Sequence, residues 1–294
     1  MATNPLRIGY VPEHFSAPLF LAQKHYGLDA TLIAFPSGTG HMVTALRAGE
    51  IHVAIGLTEG WIAGLGKEDV PGDGGYRLVG SYVETPLCWA ISTGAQRTDL
   101  TDIESLRGGR VGVSRLGSGS HVMSFVLADQ HGWPAFSDAV VLDNFEKLRR
   151  AVNSDEADFF MWETFTSKKY HDSGELRRVG DILTPWSSWK IVASTALAPQ
   201  TGGLDPRVED LFERLDRGIK HFNEHQDEAV EYIVNNLGYS EDDVGRWLPT
   251  VEFSSKTKGV KPQVVTKCID TLQRAGVLVK GKGIKAEAMV AVEA

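Results

Sequence analysis

Residues 111–132 read VGVSRLGSGSHVMSFVLADQHG, and this stretch indicates a buried strand, a glycine-rich turn and a helix in succession. Val111 and Val113 are typical strand residues. Gly117 and Gly119 allow the backbone to adopt a positive φ or to approach a ligand closely. The free N–H groups and the dipole at the start of the helix attract anionic or polar groups. The stretch therefore predicts a binding turn as well as a strand and a helix.

A second turn of the same kind occurs earlier in the chain. Residues 37–46 read SGTGHMVTAL and follow the apolar run at 31–35. We predict that the two turns face each other across one cleft. A single glycine turn before a helix is more often a plain tight connection, so the prediction depends on the presence of both turns.

The composition limits the class of protein. A chain of 294 residues can form two lobes or two small domains, each with its own core. The net charge of −8 argues against general nucleic-acid binding, which favours a basic face. No apolar run approaches the ~18 residues of a membrane span. Cys88 and Cys268 form no motif, so we expect free buried thiols rather than a disulfide.

The opening residues lead directly into an apparent first strand at 6–11, without the pattern of a signal peptide. We therefore expect a cytoplasmic protein; the alternative is that a signal has been removed.

Strands and helices alternate along the chain, and this order predicts an α/β protein with two units. The alternation runs over residues 1–92 and starts again over 93–190, and the remaining third is helical with a loosely held tail after Gly276. Such alternation indicates mostly parallel sheets covered by helices on both faces. The extended segments 87–92 and 190–198 bracket the second unit, so we predict that they act as hinge strands.

Several motifs together resemble one known family. They are RIGYVP at 7–12, APLFLA at 17–22, ALRAGEIHVA at 45–54, LRGGRVGV at 106–113 and ADFFMWE at 157–163. The sequence resembles the type II periplasmic-binding-protein fold, in the branch of sulfonate-, nitrate- and thiamine-precursor-binding proteins. Because no signal peptide is apparent, it is similar to a group of intracellular, mainly fungal proteins of that fold, which includes the Ca3427-like proteins.

The resemblance implies a two-lobed clamshell with the ligand between the lobes. Lobe one would comprise residues 1–92 and 191–294, and lobe two residues 93–190. In open α/β sheets, ligands lie at the carboxyl ends of the strands. We carry over only matching positions as ligand contacts. In lobe one these are Tyr10, His14, Phe15, Gly38, Thr39, Gly40, His41, Thr58 and Glu59. In lobe two they are Ser114, Gly117, Ser118, Gly119, Ser120, His121, Trp162 and Glu163.

Most of these side chains also have a simpler structural interpretation. Tyr10 can belong to the core, and Trp162 can stack on a flat ring or merely fill the floor between the lobes. Glutamates are costly to bury unpaired, so Glu59 and Glu163 would pair with an arginine such as Arg115 or receive a cationic ligand. The three histidines among the predicted contacts can also be ordinary loop or helix-end residues.

We therefore predict a protein that binds a small polar or anionic molecule without chemistry. The ligand would resemble a thiamine precursor, a sulfonate or a carboxylate. The alternative is a cytosolic enzyme of this fold in vitamin-precursor biosynthesis, with His14, His41 or His121 as general base. One fungal enzyme branch carries a cysteine-rich run that this sequence lacks. A third possibility is a sensor or partner-binding protein that has lost its ligand.

No catalytic residue, cofactor or metal site is predicted. His221 and His225 stand four residues apart on a predicted helix and could bind a metal, but a polar helix face is the favoured interpretation. The expected partner is a small molecule, and we expect a monomer that neither binds nucleic acid nor spans a membrane.

Overall fold

Two five-stranded β-sheets organise the protein, whose structure is a computed structural model that describes residues 4–294. Within that range the strands are β1 (Leu6–Tyr10), β2 (Ala30–Ala34), β3 (Val53–Leu57), β4 (Tyr76–Val83), β5 (Cys88–Gly94), β6 (Val111–Val113), β7 (Ala139–Val141), β8 (Phe159–Glu163), β9 (Leu176–Leu183) and β10 (Trp189–Ser194).

Helices flank both sheets. In chain order they are α1 (Ala17–Tyr26), α2 (Thr39–Arg47), α3 (Thr58–Gly66), α4 (Gly119–His131), α5 (Phe145–Asn153), α6 (Thr164–Asp172), α7 (Pro206–Glu224), α8 (Gln226–Leu237), α9 (Glu241–Trp247), α10 (Pro262–Arg274) and α11 (Ala286–Met289). Short 3₁₀ turns cover His14–Ser16, Glu104–Leu106 and Leu248–Thr250. None of the helices in residues 4–294 combines the length and the apolar character that a bilayer crossing requires.

The two sheets share one topology. The first has the order β2-β1-β3-β10-β4, and the second has the order β7-β6-β8-β5-β9. In the first sheet β10 runs antiparallel to both of its neighbours, and β5 does the same in the second. The remaining pairings are parallel. The predicted α/β class with two mostly parallel sheets is therefore confirmed, with one reversed strand in each sheet.

The chain passes between the sheets twice, through residues 84–87 and 184–188. The two crossings are hydrogen-bonded to each other. Leu87 N donates to Thr184 Oγ1 (2.9 Å), and Thr184 N donates to Leu87 O (3.0 Å). Two short, mutually bonded crossings are typical of a hinge that lets two lobes close on each other.

Strand pairing moves both predicted lobe boundaries. We placed residues 1–92 with 191–294 in lobe one, and 93–190 in lobe two. However, β5 begins at Cys88 and pairs with β8 and β9 of the second sheet. Lys190 lies in β10 and belongs to the first sheet. The two predicted hinge strands are thus members of the sheets, and each crossing lies just before one of them. The prediction misplaced the boundaries because an apolar extended run does not indicate which sheet will pair with it.

The helical C-terminal third packs on the first sheet and its helices. Helix α7 lies against α1, where a Cβ on Gly218 would come within 2.5 Å of Pro18 O, so only glycine permits this approach. We had expected a loosely held tail after Gly276, but this segment packs on the rest of the protein. Leu278 and Met289 are buried against the first lobe, because their apolar side chains complete its core.

Candidate functional site

A cleft lies between the two lobes and encloses about 620 Å³ of space that no protein atom occupies, part of it open to solvent. Both predicted glycine turns line it, together with the ends of β6 and β8. Ten predicted site residues are among the lining: Gly38, Thr39, Gly40, Ser114, Gly117, Ser118, Gly119, Ser120, Trp162 and Glu163. The structure therefore brings the two turns together at one site.

The turn before α4 is held by its own serine side chains. Ser118 is the N-cap of α4, and its Oγ accepts from the backbone N–H of the first helical turn. Ser120 Oγ accepts from Ser114 N (3.2 Å), which ties the turn to the end of β6. These bonds leave the N–H groups of Gly119 and Ser120 without an acceptor in the described part of the chain. Both groups are free to bind a ligand.

The turn before α2 presents the same kind of donors from the first lobe. Gly38 adopts a φ of +76°, which is a glycine conformation, and starts the helix. Thr39 Oγ1 accepts from Leu57 N (2.9 Å) and fastens the helix to the end of β3. The N–H groups of Thr39 and Gly40 have no acceptor within residues 4–294. Each lobe thus contributes two free backbone donors.

Arg115 reaches from the second lobe to the first. A Cβ built on Gly40 would lie only 2.8 Å from Arg115 Nη2, so the guanidinium lies directly over that glycine. The half-buried guanidinium has no hydrogen-bond or ion-pair partner among the described residues, and neither Glu59 nor Glu163 pairs with it, contrary to one of our alternatives. Burial lowers its pKa, but an arginine remains charged. The cleft therefore contains an unpaired cation beside four free N–H groups.

Two carboxylic acids also line the cleft. Glu163 ends β8, and its Oε2 accepts from Thr166 N (2.6 Å). Burial raises the pKa of Glu163 to about 7, although this N–H bond opposes the rise. Burial, and then the neighbouring Glu163, raise the pKa of Glu13 to about 8. Near neutral pH both carboxyls are therefore protonated much of the time and can donate hydrogen bonds to a ligand.

Three tryptophans contribute to the lining of the cleft. Trp89, Trp162 and Trp189 line the cleft, and Trp162 is backed by Phe145 at a ring-centroid distance of 5.0 Å. The Nε1 atoms of Trp89 and Trp189 are buried and have no acceptor within the described residues. The part of the cleft lined by these rings thus suits a flat or apolar group.

Seven predicted contacts do not line the cleft, and three of these support it from behind. Phe15 packs on Trp189 at a ring-centroid distance of 5.1 Å, and Tyr10 packs on a phenylalanine of α1. His14 is 1% exposed, and its ring centroid lies 4.3 Å from that of Trp247. Burial lowers the pKa of His14 to about 3, so it is a neutral core histidine. We predicted a loop for His14 and Phe15, but aromatic packing buries both rings, whereas Tyr10 lies in the predicted first strand and is half-buried.

Thr58 and Glu59 also lie away from the cleft. We expected them to follow β3 as a loop, but α3 begins at Thr58 itself. Thr58 Oγ1 donates to Ser187 O (2.6 Å), and Glu59 Oε2 accepts from Trp186 Nε1 (2.9 Å). Both side chains are fully buried and attach α3 to the second crossing, residues 184–188. Glu59 is a hinge-side residue.

The two histidines after the glycine turns differ from each other. His41 is exposed, and its ring packs edge-on against Phe35 at 5.0 Å. His121 Nδ1 accepts from Gly117 N (2.9 Å) and closes the turn before α4. Burial and then Lys67 lower the pKa of His121. His121 therefore shapes the turn rather than lining the cleft.

Sequence reasoning missed several lining residues. Glu13, Trp89 and Trp189 were not proposed, and Arg115 was considered only as a partner for glutamate. One signal could have identified Arg115, since it stands between a buried strand and a glycine turn. No local pattern marks the two tryptophans, because they come together only where the reversed strands β5 and β10 leave the crossings.

Comparison with known proteins identifies a family and several similar structures. Residues 89–182 match the family model described as Ca3427-like PBP, a periplasmic-binding-protein family. No match was found among curated proteins. The solved structure of the Candida albicans CA3427 gene product, which defines a new family with the generic periplasmic binding protein fold, is 39% identical. Its TM-score is 0.88, and the alignment covers 99% of this chain and 97% of that one.

More distant structures share the fold. The alkanesulfonate-binding protein SsuA from Xanthomonas axonopodis pv. citri, bound to MOPS, is 18% identical with a TM-score of 0.74, over 99% of this chain and 97% of that one. The periplasmic nitrate-binding protein NrtA from Synechocystis PCC 6803 is 11% identical with a TM-score of 0.73, over 98% and 85%. The predicted periplasmic-binding-protein fold is therefore confirmed.

Proposed function

This chain belongs to the family that the Candida albicans CA3427 protein defines, as the sequence motifs predicted, and on that premise we propose that it binds a small anionic molecule in the cleft between its lobes without converting it. The observation that carries the proposal is the unpaired guanidinium of Arg115 beside four free N–H groups. The neighbouring Asp143 acts on Arg115 without forming an ion pair, and a half-buried cation without a directly paired anion is stabilised when a ligand supplies one. Two helix N-termini add to the attraction.

The rest of the cleft supports a ligand with two different ends. An anionic head such as a sulfonate, carboxylate or phosphate would lie against Arg115 and both turns. A flat or short apolar middle would lie among the three tryptophans that line the cleft, and a polar far end would meet Glu13 and Glu163. Sulfonates, carboxylates and anionic relatives of thiamine precursors all fit this description. SsuA and NrtA, which share the fold, carry names that refer to alkanesulfonate and nitrate.

The proposal includes a closing motion. The hydrogen-bonded crossings form the hinge, and Arg115 already bridges the lobes over Gly40. A ligand that bonds to both turns would favour the closed form, because it binds that form more tightly than an open one. A cytoplasmic location and a monomeric state stay predictions.

The test is a ligand screen on tag-free protein in a buffer without sulfonates. The panel contains ethanesulfonate, MOPS, nitrate, small carboxylates, thiamine pyrimidine precursors and pyridoxal phosphate. A ligand at 100 times its Kd adds about 2.7 kcal/mol to the free energy of unfolding, which raises the Tm by several degrees. Product analysis after incubation then tests for chemistry. A panel without any Tm shift, or a compound that is converted, would contradict the proposal.

The matched variants are Arg115→Met and Arg107→Met. Arg107 is exposed and has no hydrogen-bond or ion-pair partner for its side chain within residues 4–294. Charge-assisted hydrogen bonds are worth about 1.5–3 kcal/mol, so Arg115→Met should weaken the best anion roughly 10- to 150-fold. Arg107→Met should leave the Kd unchanged. Equal affinity in wild type and Arg115→Met would show that the anion does not bind at this cation.

A further inference from the structure

A cluster of metal-ligating side chains lies outside the cleft, where α1, α7 and α8 of the first lobe meet. Glu228 Oε1 lies 2.7 Å from His25 Nε2, and Glu228 Oε2 lies 2.8 Å from His221 Nε2. All three ligand atoms lie within 4.8 Å of one another, and no other group of three such residues within 4–294 does so. The two imidazoles stack with ring centroids 4.4 Å apart. Two imidazole nitrogens and one carboxylate thus lie close together.

We propose that His25, His221 and Glu228 bind a Zn²⁺ ion, with water as the fourth ligand. Two imidazole nitrogens and a carboxylate oxygen form a donor set that zinc accepts, whereas Mg²⁺ and Ca²⁺ prefer oxygen ligands. The sequence pointed to His221 and His225 as a helical pair. The structure instead completes the set with His25 and Glu228, and His225 Nδ1 and Nε2 are not among the converging atoms.

The three side chains must separate to admit an ion. Zinc–ligand bonds of about 2.0–2.1 Å at tetrahedral angles place ligand atoms about 3.3 Å apart. Each nitrogen now lies within hydrogen-bond distance of its own Glu228 oxygen, so both imidazoles must move away from the carboxylate for the three side chains to share one ion. Lys24 Nζ, now 2.6 Å from Glu228 Oε1, must also leave that oxygen. It can do so because the Lys24 side chain is 63% exposed.

A neighbouring hydroxyl supports the required form of one imidazole. A neutral histidine that binds zinc through Nε2 carries its proton on Nδ1 and donates it to a nearby acceptor. Tyr26 Oη lies 2.9 Å from His221 Nδ1 and can accept that hydrogen bond. Both histidines stand in the last turns of their helices, where the helix dipole favours a bound cation, and Glu228 stands in a first turn, which favours its negative charge. The ion would join three helices, and His25 on the first of them is about 200 residues away in sequence from the other two ligands.

The experiment is zinc titration of tag-free protein by isothermal titration calorimetry. We expect one Zn²⁺ per chain, no binding of Mg²⁺, and a rise in Tm of roughly 5 °C at 100 times the Kd. His25→Ala and Glu228→Gln should abolish the binding, and Tyr26→Phe should weaken it roughly 10- to 100-fold. The control is His131→Ala, because His131 forms an ion pair with Glu104 (3.1 Å) away from the cluster. This variant should bind zinc as the wild type does.

Folding of each variant is checked by its Tm in the presence of a chelator. Glu228→Gln keeps the shape of the side chain, so it tests the ligand without removing the packing. Wild-type protein that does not bind zinc would overturn the proposal. So would His25→Ala and Glu228→Gln variants that fold and bind zinc as the wild type does.

Discussion

Glu59 is a buried carboxyl that should make the protein less stable as the pH rises. It is fully buried at the start of α3, where Oε2 accepts from Trp186 Nε1 (2.9 Å) and Oε1 has no partner among the described residues. Burial raises its pKa from an ordinary value of 4.5 to about 7, against the smaller effect of these hydrogen bonds. The folded protein therefore keeps a proton that the unfolded chain releases above pH 4.5, and the free energy of unfolding falls as the pH rises to 7.

The variant Glu59→Gln removes this titration and keeps an acceptor for Trp186. Each unit by which the pKa is raised corresponds to about 1.4 kcal/mol, so the wild type should lose a total of about 3 kcal/mol of its free energy of unfolding as the pH rises. Most of it falls between pH 5 and pH 8.5, so the stability gain of Glu59→Gln over wild type should grow by about 2.5 kcal/mol across that range. At pH 5 the two proteins should differ little, because the protonated acid and the amide make similar bonds.

Urea denaturation at pH 5 and pH 8.5, monitored by tryptophan fluorescence and far-UV circular dichroism, measures the difference in free energy of unfolding between the variant and the wild type. Glu156→Gln serves as the control, because Glu156 is exposed and its neutralisation should have a small effect at both pH values. A stability difference between Glu59→Gln and wild type that is the same at pH 5 and pH 8.5 would refute the reasoning. Because Glu59 does not line the cleft, the same variant should bind the best anion of the screen with unchanged Kd.

Two further predictions concern the cleft. Gly119→Ala would place a Cβ 2.8 Å from Trp89 Cη2 and 3.2 Å from Leu57 Cδ1 of the other lobe. The added methyl group should oppose closure of the lobes, so the Kd for ethanesulfonate should rise at least about tenfold. Gly245→Ala, where the added Cβ meets open space, should leave the Kd unchanged, and equal affinities for the two variants would contradict the close approach at Gly119. The Kd for ethanesulfonate should also rise between pH 6 and pH 9, because Glu13 and Glu163, with pKa values of about 8 and about 7, lose their protons and repel the anion. Calorimetry at several pH values measures this rise, and a Kd that does not change with pH would show that the two carboxyls are remote from the ligand.

The amino-acid sequence by itself determined the class of this protein. Alternating strand and helix patterns predicted two α/β units with mostly parallel sheets, and the motifs around 45–54 and 106–113 predicted the family. The two glycine turns were also readable, because a glycine turn between a buried strand and a helix is a local feature. The positive φ values of Gly38 and Gly117 agree with that local interpretation.

Only the tertiary structure decided which side chains meet. Glu59 was predicted in the cleft, but α3 begins one residue before it and turns its carboxyl toward Trp186. Arg115 lies over Gly40 because the lobes come together, and His25 meets Glu228 because α1 packs beside α8. Periodicity and turn residues report the local conformation and which face is buried, whereas the partner across a cleft or a helix interface depends on how distant segments pack.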